Sequence, residues 1–212
     1  MMKIWGRDNS VNVEKVLWAC EELDIRYERV DAGGRFGVVD TPEYRALNPN
    51  GLVPTVEVDG LVLWESNAIV RYLAAKYGSG SLWSEEPARR AQADMWMDWA
   101  QTSVLPDLTT VFFGLVRIPS AKRDLPGIDS AAERLGKTFG VLERALEGRA
   151  FLTGDSLSMG DIPLGSTLYR YFDLEISRPS LPNVEAWYER LQARPAYREH
   201  VMVSYESLRV AE

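Results

Sequence analysis

Cysteine and histidine each occur once among the 212 residues. A disulfide within the chain is therefore impossible, and a zinc site built on Cys and His ligands is not expected. With no C-x-x-C pair, dithiol redox chemistry of the thioredoxin type is also excluded. A Ser-His-Asp hydrolase would have to use His200, which lies in a polar segment close to the C-terminus. No apolar run approaches the roughly 20 residues of a membrane span, and Met1 is not followed by a basic-then-apolar segment. The expectation is a cytoplasmic protein without membrane contact. Positive charge is short as well: 24 Lys and Arg stand against 31 Asp and Glu, a net charge of −7. That balance argues against a nucleic-acid partner, which needs clustered cations. What remains is an ordinary globular composition, 46% hydrophobic and 26% charged, long enough for one large or two small domains.

The most informative stretch is 48–77, NPNGLVPTVEVDGLVLWESNAIVRYLAAKY. Asn48-Pro49-Asn50-Gly51 is a turn cluster of residues that preset φ or tolerate positive φ. Val56 and Val58 alternate with Thr55 and Glu57 as in a strand. Asp59-Gly60 suits a two-residue type I′ turn, and Leu61 to Trp64 supplies the return strand. Glu65-Ser66-Asn67 then opens a helix with Ile69, Tyr72 and Leu73 on one face and Gly78 just past its end. The first turn of a helix carries unpaired N–H groups and suits a carboxylate. Ser66 adds a hydroxyl there, and Glu65 can accept from an ammonium group. A cis Val53-Pro54 bond would leave the Val53 N–H and C=O free to pair with an extended peptide. The same residues also read plainly as a helix cap and an edge-strand proline.

This unit resembles the glutathione-binding half of the soluble glutathione transferases, whose pattern is NPxGxVPxL…(E/D)SxAIxxYL. The resemblance implies a cis Pro54, with Val53 pairing to the cysteinyl backbone of glutathione and Glu65 with Ser66 holding its γ-glutamyl group. It further implies glutathione as co-substrate, a detoxifying transferase, and a homodimer with the Asp94/Asp98 helix near its interface. No metal is implied.

Earlier in the chain, Lys3 to Gly6 reads as a strand, and Tyr27 to Asp31 as a second. Between them Val13, Val16, Leu17, Cys20 and Leu23 share a helix face, so Cys20 is expected to be a buried, inert thiol. Ser10 lies where loop becomes helix. It is either a capping residue or a hydroxyl that lowers a thiol pKa with the help of the helix dipole. Set against the family, Ser10 falls on the activating serine of the theta- and phi-like classes. Asn12 is the second candidate for orienting the sulfur. Leu52 stands where many relatives place Lys or Gln beside the glycyl end, and Val38–Asp40 lacks the basic residue that related classes supply; Lys15 or Arg35 is expected to substitute.

Gly78-Ser79-Gly80-Ser81 is a linker signal. A long helical stretch follows Pro87, with its break expected at Pro106. Ser130–Glu133 reads as the capping box of the next helix, and Ser158–Asp161 as that of another. These helices resemble the family's second domain, in which Asp161 would be a structural cap. Trp99 and Phe112 are candidates for the wall of a pocket for an apolar electrophile. The expected architecture is a thioredoxin-like α/β domain over 1–79 and an all-α domain over 87–212. The expected activity is addition of the glutathione thiolate to a small electrophile. Glutathione-dependent peroxide or disulfide reduction is one rival reading, and a non-catalytic binding module on the same fold is another.

Overall fold

In the computed structural model, which describes residues 1–210, four strands form one sheet. They are β1 (Met2–Trp5), β2 (Tyr27–Val30), β3 (Thr55–Val58) and β4 (Leu61–Trp64), in the order β2-β1-β3-β4. β1 runs parallel to β2 and antiparallel to β3, which pairs antiparallel with β4. The β3–β4 turn has Asp59 at φ 51° and Gly60 at φ 80°, the two positive values that a type I′ turn requires. A parallel β1–β2 pair needs a crossover, which α1 (Val11–Glu22) provides. The short helix α2 (Pro42–Leu47) is capped by Thr41, whose Oγ1 accepts from the Tyr44 N–H at 3.2 Å. α3 (Ser66–Tyr77) follows β4 directly and ends at Gly78. Ile4, Val13, Val16, Cys20, Val56, Ile69 and Leu73 are completely buried between the sheet and helices α1 and α3.

The second half consists of α4 (Pro87–Trp99), α5 (Leu105–Phe112), α6 (Leu125–Ala145), α7 (Asp161–Asp173), α8 (Pro182–Gln192) and α9 (Pro195–His200). The break expected at Pro106 lies just before it. A π-helical turn, Ala100–Val104, precedes α5, so the proline occupies a helix-start position where its missing N–H costs little. α6 begins five residues ahead of the expected Ser130: Asp124 caps it by accepting from the Gly127 N–H at 3.1 Å. Asp161 behaves as a cap. Its buried carboxylate accepts from the Leu152 N–H (3.0 Å), the Ser158 N–H (2.9 Å) and the Ser158 hydroxyl (2.9 Å).

α1 serves both halves. Its Val13–Cys20 side faces the sheet, while Trp18 and Ala19 belong to the helical core. Trp18 packs edge-on against Tyr197 at 4.9 Å. A Cβ on Gly165 would come within 2.8 Å of the Trp18 ring, so only glycine permits that approach. Polar contacts reinforce the junction. Arg170 on α7 donates to Glu14 on α1 at 2.8 Å and to the Asn9 carbonyl at 3.0 Å. Asn67 Nδ2 on α3 donates to the Met97 carbonyl at 2.8 Å. Burial pushes the Glu14 carboxyl up to about 7 even though Arg170 opposes the shift.

Candidate active site

Asn12, Leu52, Val53, Pro54, Glu65 and Ser66 line a single depression, joined by Asn48, Asn50 and Gln101. The turn before β3 shapes its floor. Tyr44 Oη donates to the Leu52 carbonyl at 2.7 Å, and Asn48 Nδ2 donates to the same oxygen at 2.9 Å. Asn48 Oδ1 accepts from the Asn50 N–H at 3.1 Å. With the loop held from beneath, Val53-Pro54 is cis. The Val53 N–H and C=O make no hydrogen bond among the described residues. An edge of unpaired main-chain groups is what an added extended peptide pairs with.

At the other end, Ser66 is the first residue of α3, and Glu65 precedes it at φ 71°, a conformation that costs a non-glycine residue about 1–3 kcal/mol. Ser66 Oγ donates to Asn12 Oδ1 at 3.3 Å. Lys15 Nζ donates to the same Asn12 oxygen at 2.9 Å and to Ser66 Oγ at 3.4 Å. An ammonium can only donate, so Asn12 must turn its carbonyl oxygen to Lys15. The Asn12 amide nitrogen is left with no partner among the described residues. Lys15 is 2% exposed, and burial lowers its pKa to about 8 against the pull of Glu65 and Glu14.

Two expected residues lie elsewhere in the site. Lys15, expected near the glycyl end, stands beside Ser66, because its place on α1 turns it towards the start of α3. Arg35 lines a separate depression with Arg7 and Asn9. Ser10 lines neither depression; along the chain it stands between Asn9, at the second, and Asn12, at the first. Its main chain starts α1, with the carbonyl accepting from the Val13 and Glu14 N–H groups at 2.8 Å, but its hydroxyl makes no cap bond. Neither Trp99 nor Phe112 borders the Val53–Ser66 depression. Phe112 is only 3% exposed, under the Arg170 guanidinium at 4.6 Å, and Trp99 packs edge-on against Trp96 at 5.3 Å. Gln101, missed from the sequence, enters through the π-helical turn, and no sequence pattern announced that turn. Cys20 is fully buried and pushed up to about 12 by that burial.

Comparison with known proteins settles the family. The profile of the glutathione S-transferase N-terminal domain matches residues 1–75, and that of the C-terminal domain matches residues 93–195. The chain belongs to the glutathione S-transferase family. It is 43% identical to glutathione S-transferase GstB of Escherichia coli, over 96% of this chain and 99% of that protein. It is 31% identical to glutathione S-transferase 4 of Zea mays, over 92% and 89%. A theta class glutathione S-transferase from Xanthomonas axonopodis pv. citri, solved with glutathione bound, superposes with a TM-score of 0.92 at 49% identity, covering 96% of this chain and 98% of that one. The transferase fold, a thioredoxin-like sheet followed by helices, is the one described above. No helix among the described residues is long and apolar enough to cross a membrane, and no group of His, Cys, Asp and Glu there is set to hold a metal ion.

Proposed function

We propose that this transferase binds glutathione across the Val53–Ser66 depression, favours its thiolate, and adds it to a small electrophile. The observation that carries the reading is the pairing of opposite charges around Ser66. Glu65 supplies a carboxylate, while Lys15 Nζ reaches Ser66 Oγ at 3.4 Å from below. A free α-amino acid head group is a zwitterion. Its ammonium meets Glu65; its carboxylate meets the Ser66 hydroxyl, the N–H groups at the start of α3 and the Lys15 charge. The γ-glutamyl end of glutathione is such a head group, and the Val53 edge suits the extended cysteinyl backbone that follows. The sulfur then comes to the start of α1. There Ser10 donates its uncommitted hydroxyl and the helix dipole favours the negative charge. Asn12 offers a second donor through its amide nitrogen. At the glycyl end Leu52 is 64% exposed, and the neutral Asn50 takes the place of a cation. We place the glutathione-binding domain at 1–79 and the helical domain at 87–212, in a cytoplasmic homodimer.

Calorimetry with glutathione and with cysteinylglycine tests the reading: the dipeptide, lacking the γ-glutamyl group, should bind at least tenfold more weakly. Equal affinities would remove the head-group site. Turnover of an aryl halide, an organic peroxide and a mixed disulfide then separates conjugation from reduction.

A further inference from the structure

The second depression, about 60 Å³ in volume, is bordered by the Arg7–Asn9 loop that leads directly into Ser10. It is lined by Arg7, Asp8, Asn9, Arg35, Ser207 and Leu208 among others. Arg7 links it to the glutathione site: a Cβ on Gly33 would meet both Arg7 Nη1 and Val53 Cγ1 at 3.3 Å. The C-terminal segment closes the opposite wall, with Asn9 Nδ2 donating to Ser207 Oγ at 3.0 Å.

Arg7 and Arg35 line this space, and Arg117 and Arg170 stand near enough for Arg7 to feel their charge, in a chain of net charge −7. Arg170 is engaged by Glu14 and the Asn9 carbonyl. Arg7, Arg35 and Arg117 form no ion pair among the described residues, and the Nε atoms of Arg7 and Arg117 are buried without a hydrogen-bond partner. Asp8, the carboxylate at the rim, faces Arg29 at 4.0 Å. Burial and then the charges of Arg117 and Arg170 weaken Arg7's hold on its proton, which marks the crowding of like charges. Three of the four groups lie over aromatic rings: Arg35 over Phe36 (4.8 Å), Arg117 over Phe113 (4.8 Å) and Arg170 over Phe112 (4.6 Å). A guanidinium supported on its face keeps its N–H edge for an oxyanion, and the fork geometry suits a carboxylate.

We infer that this arginine cluster holds an anionic group of the second substrate, so that the electrophile is an organic acid whose carboxylate sits between Arg7 and Arg117 while its reactive carbon faces Ser10. The inference rests on the glutathione reading above and adds the substrate class. The volume fits a carboxylate head, and the body of the substrate extends towards the sulfur.

Two near-isosteric conjugates test it, S-(4-carboxy-2-nitrophenyl)glutathione and its 4-carbamoyl counterpart, titrated by calorimetry beside glutathione itself. The wild type should prefer the carboxylate about tenfold to a hundredfold, the range of one charge-assisted contact. Arg7→Met and Arg117→Met should each erase most of that preference and leave glutathione affinity unchanged; Arg117→Lys should keep part of it. Equal binding of the two conjugates by the wild type overturns the proposal without any variant having to fold. So does a uniform loss of glutathione and both conjugates in the Met variants, which would assign the arginines to the tripeptide. If glutathione itself does not bind the wild type, the underlying reading falls too, and the same titrations show it.

Discussion

Replacing Lys15 by Met should weaken glutathione binding without weakening the fold. The ammonium is 2% exposed and its pKa is displaced by burial from an ordinary 10.5 to about 8. At neutral pH that displacement costs the native state about 3 kcal/mol. Against it stand the bonds to Asn12 Oδ1 and Ser66 Oγ, worth about 1.5–3 kcal/mol for a charged donor. Lys15→Met removes both terms and keeps the side-chain volume, so stability at pH 7 should be unchanged or higher by up to about 2 kcal/mol. In a domain of this size, 1 kcal/mol moves Tm by about 2–4 °C. Glutathione affinity should fall about tenfold to a hundredfold, because the head-group carboxylate loses its cation. The pH dependence has a definite sign. Between the native value, about 8, and the unfolded value, about 10.4, the unfolded chain holds more protons, so wild-type stability rises with pH relative to Lys15→Met. Melting curves at pH 7 and pH 9.5, paired with glutathione calorimetry at pH 7, read all three effects. A variant several kcal/mol less stable at pH 7, or one that binds glutathione like the wild type, would refute the reasoning.

Ser10→Ala should lower aryl-halide turnover about tenfold to a hundredfold with glutathione affinity little changed, and Tm should stay put because the hydroxyl makes no cap bond. Ser10→Asp should fold and be inactive; normal turnover in that variant, with loss in Asn12→Ala, would pass the sulfur-orienting role to Asn12. Asp161→Ala strands the Leu152 and Ser158 N–H groups, so chemical denaturation should show a loss of about 2–5 kcal/mol while activity per folded molecule is retained. Cys20, pushed up to about 12, should resist thiol reagents in the native state. Inactivation of the wild type by such a reagent, absent in Cys20→Ala, would contradict its burial.

The features legible in the sequence were those fixed by local chemistry. Asp59-Gly60 and Glu65-Ser66 specify their turn and helix start within a few residues, and the structure has them there. The start of α6 was misplaced because Ser130–Glu133 has capping chemistry but lies inside a helix already begun at Asp124. The place of Lys15 in the site was illegible for a different reason. Its position on α1 was clear, yet which end of the site it meets depends on how α1 packs against α3. Gln101 and the arginine cluster rest wholly on packing: Asn9 and Arg170 stand 161 positions apart and meet only because α7 docks on α1.

α1 also has a mechanical consequence. With Cys20 in one core and Trp18 in the other, neither half owns a complete boundary. Cut at the linker, the sheet half would bring Trp18 and the unpaired Glu14 carboxylate into water, and the helical half would bare the groove at Gly165 and leave Arg170 without its partner. Melting should therefore spread across the junction as one cooperative event rather than two, and a fragment ending at residue 79 should be prone to self-association through the face that α7 had covered.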